Sequence, residues 1–250
     1  MLLGSLSLSK TNEQKTLWVI DNSLSMAVTD VMSQDDIIIS RLDLAKKIIL
    51  SGSHMLSWNQ AVMSVAHGAK LELPMNDNQS IMSDVVGWIS VIMQGGGSNF
   101  FTPLQMIHLI YGDQPNLNII WLTDGEFSDS GSMYTGSTDY LNITFIGVGS
   151  RVGWPILMGY NNEGVPRYKE SSGVRVNSIR DDASLSRVAQ YLDARTYFLD
   201  TDRSIDYSQI ISPIKNSSHI SWYTILGALL ICIWLVIPRY RYIIKNPTWK

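Results

Sequence analysis

Short apolar runs alternate with stretches of helical periodicity along most of the chain. The run TLWVI at residues 16–20 is almost entirely apolar and ends in a polar turn, which is typical of a buried parallel strand. Residues 40–52 carry apolar side chains at helical spacing, and Gly52 predicts the end of that helix. The further predicted strands are 60–75 (two strands around a turn at His67-Gly68), 117–124, 141–149 and 195–200, and the further predicted helices are 78–93, 103–112 and 184–194.

This alternation of strands and helices predicts the fold class. A strand followed by a helix and then by another strand favours parallel strands joined by crossovers that cover the sheet. We therefore expect an α/β fold of the Rossmann-like, doubly wound type, with a mostly parallel sheet and helices on both faces. The domain is predicted over residues 15–205, with an inserted loop or hairpin at residues 151–178, where glycine and proline recur.

One segment near the C-terminus has the composition of a membrane span. Residues 222–237 contain no charged side chain, and as a helix they would extend roughly 24 Å, near the lower limit for crossing a bilayer. Aromatic residues flank the segment on both sides, as they do at membrane interfaces. The sequence therefore predicts a linker at 206–220, one transmembrane helix at 221–238 and a basic tail at 239–250, and the alternative is a buried core helix.

The charges around this segment predict its orientation. Arg239, Arg241 and Lys245 follow it at once, so the positive-inside rule places the tail in the cytoplasm and the large domain outside. The first ten residues, MLLGSLSLSK, lack the basic start and the long apolar run of a secretion signal. Insertion by a tail-type route would leave the domain inside, and the sequence leaves both arrangements open.

Composition excludes several classes of protein. Charged residues make up 16% of the 250 residues, against about 25% in an average globular protein, and 45% are hydrophobic. This balance excludes a disordered chain, and a net charge of −3 argues against a nucleic-acid partner. The single cysteine, Cys232, excludes an internal disulfide and any zinc site with several cysteines.

Polar residues cluster where the predicted strands end. Residues 21–25 read DNSLS directly after the first strand, Ser98 and Asn99 follow a run of three glycines, and residues 123–125 read TDG after a later strand. Ligands of open α/β sheets bind at the carboxyl ends of the strands, so these three loops should meet at one edge. Hydroxyl and carboxylate oxygens are hard ligands, which suit Mg²⁺ or Mn²⁺ better than zinc or copper.

These motifs resemble the metal-ion-dependent adhesion site of von Willebrand factor type A (vWA) domains. The resemblance implies that the metal is held by Asp21, Ser23, Ser25, Ser98 and Asp124. Ser98 stands where the family has threonine, which keeps the hydroxyl and loses a methyl group, and Thr102 is a weaker candidate for the same role. Asn99, Thr123 and Gly125 are expected to support the site. Asp30, Asp35, Asp36 and Glu126 are expected to be solvated, with support of the motif loop as the alternative for Asp30.

Other segments are similar to Bat-type aerotolerance proteins, which are membrane-anchored bacterial vWA proteins. The likeness covers SMAVTD at 25–30, SRLDLAK at 40–46, FIGVGSRVGWPI at 145–156 and residues 178–200. It implies a single-pass protein of the bacterial inner membrane. It also implies, as partners, a MoxR-type AAA+ ATPase and sister vWA membrane proteins.

The resemblance implies a binding function. In vWA domains the open coordination position of the metal accepts an acidic side chain of a partner protein. Two alternatives stay open, a metal-dependent hydrolase that uses the same oxygens and a structural membrane subunit with a vestigial site. No histidine and no second aspartate two residues after Asp21 accompanies the motif, so we predict no catalytic residue and no enzyme.

Overall fold

The computed structural model describes residues 14–56, 59–93, 100–112, 117–127, 141–201 and 205–211. Its strands are β1 (Lys15–Asp21), β2 (Thr29–Met32), β3 (Ile38–Ser40), β4 (Gln60–Val65), β5 (Ala69–Asn76), β6 (Leu117–Thr123), β7 (Asn142–Val148), β8 (Trp154–Pro155), β9 (Leu157–Tyr160), β10 (Pro166–Tyr168), β11 (Glu170–Ser171), β12 (Val174–Arg175), β13 (Asn177–Ser178) and β14 (Arg195–Leu199). Its helices are α1 (Arg41–Met55), α2 (Gln79–Trp88), α3 (Phe101–Tyr111), α4 (Asp182–Tyr191) and α5 (Tyr207–Ile211).

Six strands form the central sheet, in the order β14-β7-β6-β1-β4-β5. The pairs β14–β7, β7–β6, β6–β1 and β1–β4 are parallel, and only the hairpin partner β5 runs antiparallel. Five strands therefore present their carboxyl ends at the same edge, with β1 in the middle between β4 and β6. This sheet confirms the predicted α/β class with a mostly parallel sheet.

Successive residues of the inner strands point to opposite faces, and each face has its own core. On β1, Trp18 and Ile20 pack with α1 and α2, whereas Leu17 and Val19 pack with α3 and α4. Because both faces are covered by helices, every residue of such a strand is buried. This explains why the central strands appear in the sequence as continuous apolar runs rather than as an alternating pattern.

Two predicted helix ends are wrong. Gly52 lies buried inside α1, which continues to Met55, because packing of Leu56 into the core outweighs the weak helix propensity of glycine. The helix predicted over 78–93 ends at Trp88. Beyond it the backbone N–H of Ile92 donates to the carbonyl of Asn22 at 2.8 Å, so this segment bonds to the loop after β1 instead of extending α2.

Small antiparallel hairpins follow the carboxyl ends of β1 and β7. Strands β2 and β3 pair with each other between β1 and α1, a hairpin that the sequence pattern did not predict. Residues 154–178 hold three more two-stranded pairings, β9–β10, β11–β12 and β8–β13. They lie within the segment that was expected to form an inserted loop or hairpin.

None of the helices in the described residues is long and apolar enough to cross a membrane. The predicted linker from residue 212 onward, the predicted transmembrane helix at 221–238 and the predicted basic tail lie outside the described residues.

Candidate functional site

Two neighbouring strands bring the first two polar loops together at the carboxyl edge. Asp21 is the last residue of β1, and Thr123 is the last residue of the adjacent strand β6. The Thr123 hydroxyl donates a hydrogen bond of 2.7 Å to Oδ2 of Asp21, and both residues are buried. This bond fixes the orientation of the Asp21 carboxylate across the strand pair.

The loop after β1 turns back over the Asp21 carboxylate. The backbone N–H of Ser23 donates to Oδ1 of Asp21 at 2.9 Å, and a 3-10 turn over Leu24–Ala27 follows. This turn places the hydroxyl oxygens of Ser23 and Ser25 3.1 Å apart. Two adjacent ligands of an octahedral ion bound at 2.0–2.1 Å lie about 2.8–3.0 Å apart, so this spacing is close to what a Mg²⁺-sized cation requires.

The loop after β6 depends on Gly125. Its backbone N–H donates to the hydroxyl oxygen of Thr123 at 3.0 Å, and its φ of +80° is a conformation that suits glycine. A Cβ atom here would lie 2.7 Å from both the carbonyl oxygen of Asp181 and the Cγ of Leu185. The backbone therefore requires glycine after Asp124, for its dihedral angle and for the close approach of α4.

A buried arginine joins this loop to the first helix. Arg41, the first residue of α1, donates from Nη1 to Oδ2 of Asp124 at 2.8 Å and from Nη2 to Oδ2 of Asp30 at 2.7 Å. It also donates to the hydroxyl of Ser178 at 2.6 Å. The side chains of Arg41, Asp30 and Asp124 are all inaccessible to solvent. Arg41 therefore neutralises two carboxylates behind the hydroxyl cluster.

The electrostatics of the site favour a cation near Asp21. Burial raises the pKa of the Asp21 carboxyl to about 6, and the neighbouring Asp124 adds to the rise, while hydrogen bonds from Ser23 and Thr123 oppose it. Burial alone would lower the pKa of Arg41, but Asp30 and Asp124 more than offset this and raise it, so the guanidinium stays charged. A bound cation would stabilise the ionised form of Asp21 in the same way.

The structure brings together five of the residues named from the sequence, which are Asp21, Ser23, Ser25, Thr123 and Asp124. Gly125 lies beside them, and Thr102 lies in the first turn of α3. Ser98 and Asn99 lie outside the described residues. Within the ranges that the structure describes, no group of three or more His, Cys, Asp or Glu side chains could hold a metal ion.

Two expectations for charged residues are wrong, and one important residue was not predicted. Asp30 is buried against Arg41 instead of solvated. Glu126 is half-buried, and its Oε1 accepts a hydrogen bond of 2.9 Å from the backbone N–H of Ile179. Arg41 was not singled out, although a cation in the first turn of a helix opposes the helix dipole and therefore indicates a nearby anion.

Residues 16–126 match the family model of the von Willebrand factor type A domain. The chain is also similar to a conserved hypothetical protein, BatB, from Bacteroides thetaiotaomicron, with 19% identity and a TM-score of 0.61 over 75% of this chain and 91% of that one. A similar match is an aerotolerance-related membrane protein from Bacteroides fragilis, carrying multiple mutations to serine, with 19% identity and a TM-score of 0.63 over 75% and 92% of the two chains.

A von Willebrand factor type A protein from Catenulispora acidiphila matches with 16% identity and a TM-score of 0.50, over 79% of this chain and 40% of that one. At these identities the likeness is one of fold. No curated protein sequence matches the chain.

Proposed function

We propose that the chain, whose residues 16–126 match the von Willebrand factor type A domain model, is a binding module that holds a divalent cation, Mg²⁺ or Mn²⁺, and uses it to bind an acidic residue of a partner protein. One observation carries the proposal. The hydroxyl oxygens of Ser23 and Ser25 lie 3.1 Å apart in the loop that turns over the buried Asp21 carboxylate. These are hard oxygen donors at a spacing that suits a small cation.

Each residue of the site has a separate part in this proposal. Asp21, Ser23 and Ser25 would hold the ion directly, with Ser98 as the further hydroxyl that the family pattern implies. When bound, the ion supplies an open coordination position for a carboxylate. Both oxygens of Asp124 already accept hydrogen bonds, from Arg41 at 2.8 Å and from the backbone N–H of Glu126 at 3.2 Å. Asp124 would therefore act on the ion through water.

The charge balance supports a role in binding acidic partners. Arg41 neutralises Asp30 and Asp124, which leaves Asp21 as the carboxylate nearest to the hydroxyl pair. A divalent cation beside one carboxylate keeps a net positive charge, which favours a negatively charged side chain as the remaining ligand. We propose that the site binds and does not catalyse a reaction, since no histidine and no second aspartate two residues after Asp21 accompanies the motif.

We further propose that this module is tethered to a membrane by the apolar segment at 221–238 and works in a Bat-like assembly with a MoxR-type ATPase. The fold shared with BatB and with the aerotolerance-related membrane protein supports this proposal. The motif SRLDLAK supports it as well, because its arginine is Arg41, which is tied to the proposed metal site.

The first prediction concerns the Asp21 carboxylate. Asp21→Asn keeps the shape of the side chain and removes its charge, so we expect the affinity for Mg²⁺ to fall at least about 100-fold in titration calorimetry, since even outer-shell changes cost 10–100-fold. Partner proteins recovered from membranes in Mg²⁺ should be lost both in this variant and when wild type is treated with EDTA. Asp35→Asn, which changes an exposed carboxylate in a turn, is the matched control and should behave as wild type.

Mg²⁺ affinity equal to wild type in Asp21→Asn would exclude this site as the metal site. Recovery of the same partner in EDTA and in Mg²⁺ would exclude metal-dependent binding. Turnover of phosphoesters or peptides that requires Asp21 and Mg²⁺ would instead identify the hydrolase alternative.

A further inference from the structure

A cleft of about 650 Å³ lies directly beside the proposed metal site. It begins at Asn22, which stands between Asp21 and Ser23 in the metal-binding loop, and it extends between β5 and the end of α2. Its volume is within the range of small-ligand and peptide pockets. The cleft therefore adjoins the loop that carries the proposed metal ligands.

The cleft holds a buried hydrogen-bond acceptor for which the described residues supply no donor. Oδ1 of Asn22 is buried and has no hydrogen-bond partner among the described residues, and Asn22 as a whole has a relative exposure of 5%. The Nδ2 group of the same side chain donates to the carbonyl of Ser90 at 3.1 Å, so the amide cannot rotate freely to find another partner. Asn22 is therefore a fixed part of the cleft wall beside Asp21.

The far wall of the cleft is apolar. It is lined by Val85, Trp88, Ile89 and Ile92. Trp88 is 85% exposed. Such a large exposed aromatic residue beside a concave surface is typical of an interaction site. The hydrogen bond from Ile92 N–H to the carbonyl of Asn22 holds this wall against the metal-binding loop at 2.8 Å.

The charged residues that line the cleft neutralise each other. Nζ of Lys70 lies 2.6 Å from Oε2 of Glu72, whose Oε1 accepts a hydrogen bond of 2.6 Å from the hydroxyl of Ser64. The cleft itself therefore offers no net charge, whereas the proposed ion beside it is positive. Charge complementarity assigns an acidic side chain to the ion and an uncharged apolar side chain to the cleft.

We propose that the cleft binds the residue adjacent to the acidic residue of the partner, and that this residue is large and apolar. The inference rests on the proposed function, because it assumes that the acidic residue binds at the metal. The partner segment is extended, and its apolar side chain packs against Trp88. The site thus recognises a two-residue feature, an acidic residue next to a large apolar one.

This inference is tested by measuring the affinity of fluorescent hexapeptides for the full chain in lipid nanodiscs. The peptides are Gly-Gly-Asp-Phe-Gly-Gly, its Phe-Asp reversal, the matching Ala peptides, and versions with Asn in place of Asp. In Mg²⁺ we expect one of the two Phe orders to bind about tenfold more tightly than its Ala counterpart, and the Asn versions not to bind. EDTA measures the background from lipid, since partition of Phe into the bilayer does not depend on the metal.

Trp88→Ala should remove this tenfold preference while leaving the affinity for Mg²⁺ alone unchanged in calorimetry. The matched control is Leu109→Ala, because Leu109 is 83% exposed on α3 and does not line the cleft. Equal affinity for the Phe and Ala peptides, or a preference that survives in Trp88→Ala, would overturn the inference and leave the proposed function standing. Binding that is as strong in EDTA, or with Asn in place of Asp, as it is for the Asp peptides in Mg²⁺, or no binding of any Asp peptide at millimolar concentration, would overturn the proposed function as well.

Discussion

At the scale of single residues, hydroxyl groups organise the proposed metal site. The hydroxyl of Thr123 accepts from the backbone of Gly125 and donates to Asp21, so one side chain links the loop after β6 to the carboxylate on β1. A buried hydroxyl that satisfies two partners contributes most by leaving neither of them unpaired. Thr123 is therefore expected to position Asp21 for the ion rather than to bind the ion itself.

Thr123→Val keeps the shape of the side chain and removes both hydrogen bonds. We expect a loss of about 1–3 kcal/mol in the free energy of unfolding, because the buried carboxylate and the Gly125 N–H group each lose a partner. Urea denaturation measures this loss, and calorimetry should register weaker Mg²⁺ binding. Thr123→Ser retains the hydroxyl and is the matched control. If the valine and serine variants proved equally stable, the role assigned to the hydroxyl would be wrong.

Sequence alone predicts the site residues that lie within short motifs. Asp21, Ser23, Ser25 and Asp124 each follow an apolar strand, and the topology of a parallel sheet brings such positions together. Arg41 could not be assigned in the same way, because its partners Asp124 and Ser178 are 83 and 137 residues away in the chain. The orphaned amide oxygen of Asn22 also depends on tertiary packing, which no local pattern records.

At the scale of secondary structure elements, α1 is joined to the carboxyl edge of the sheet through its first residue. The backbone at Gly149, directly after β7, has φ of +112° and passes very close to the Arg41 side chain. The N–H of Ser150 then donates to Oδ2 of Asp30 at 2.9 Å, so the same loop holds the other partner of Arg41. The loop after β7 and the start of α1 therefore form one buried unit behind the proposed metal site.

Gly149→Ala tests this unit. A Cβ atom at this position would lie 2.3 Å from Nε of Arg41, so the substitution should displace the guanidinium from Asp30 and Asp124. Gly159→Ala is the matched control, since its φ is +122° and nothing lies within 4 Å of a Cβ atom there. Both variants carry backbone strain, and we expect Gly149→Ala to lose at least about 2 kcal/mol more in urea denaturation, because it also breaks a buried ion pair. Equal losses would mean that the loop adjusts without moving Arg41.

At the scale of the whole molecule, the central sheet explains why the fraction of charged residues is low. Strand β1 is buried from Thr16 onward, and β6 and β4 are buried at each of their residues, so the interior takes up a large apolar share of the sequence. The predicted anchor at 221–238 adds another uncharged segment. The low fraction of charged residues therefore fits an α/β domain of ordinary globular type followed by one predicted membrane segment.

The orientation of the domain can be tested with the single cysteine of the chain. In a Cys232→Ser background, which has no other cysteine, we would add Val152→Cys on an exposed loop or Lys250→Cys at the C-terminus. The positive charges after residue 238 predict that a membrane-impermeant maleimide labels Val152→Cys in intact spheroplasts, whereas Lys250→Cys reacts only after permeabilisation. The reverse pattern of labelling would place the domain in the cytoplasm, and the unlabelled parent is the background control.

The bond between Thr123 and Asp21 joins residues that are 102 positions apart in the chain. Closing so long a loop is a non-local event, which places it among the slower steps in forming a parallel sheet. During synthesis, the loop after β1, which carries Ser23 and Ser25, is made long before Thr123, whose hydroxyl orients the Asp21 carboxylate. If the proposed site binds Mg²⁺, its affinity should therefore be acquired only when the sheet is complete, and Mg²⁺ binding would serve as a kinetic readout of finished folding.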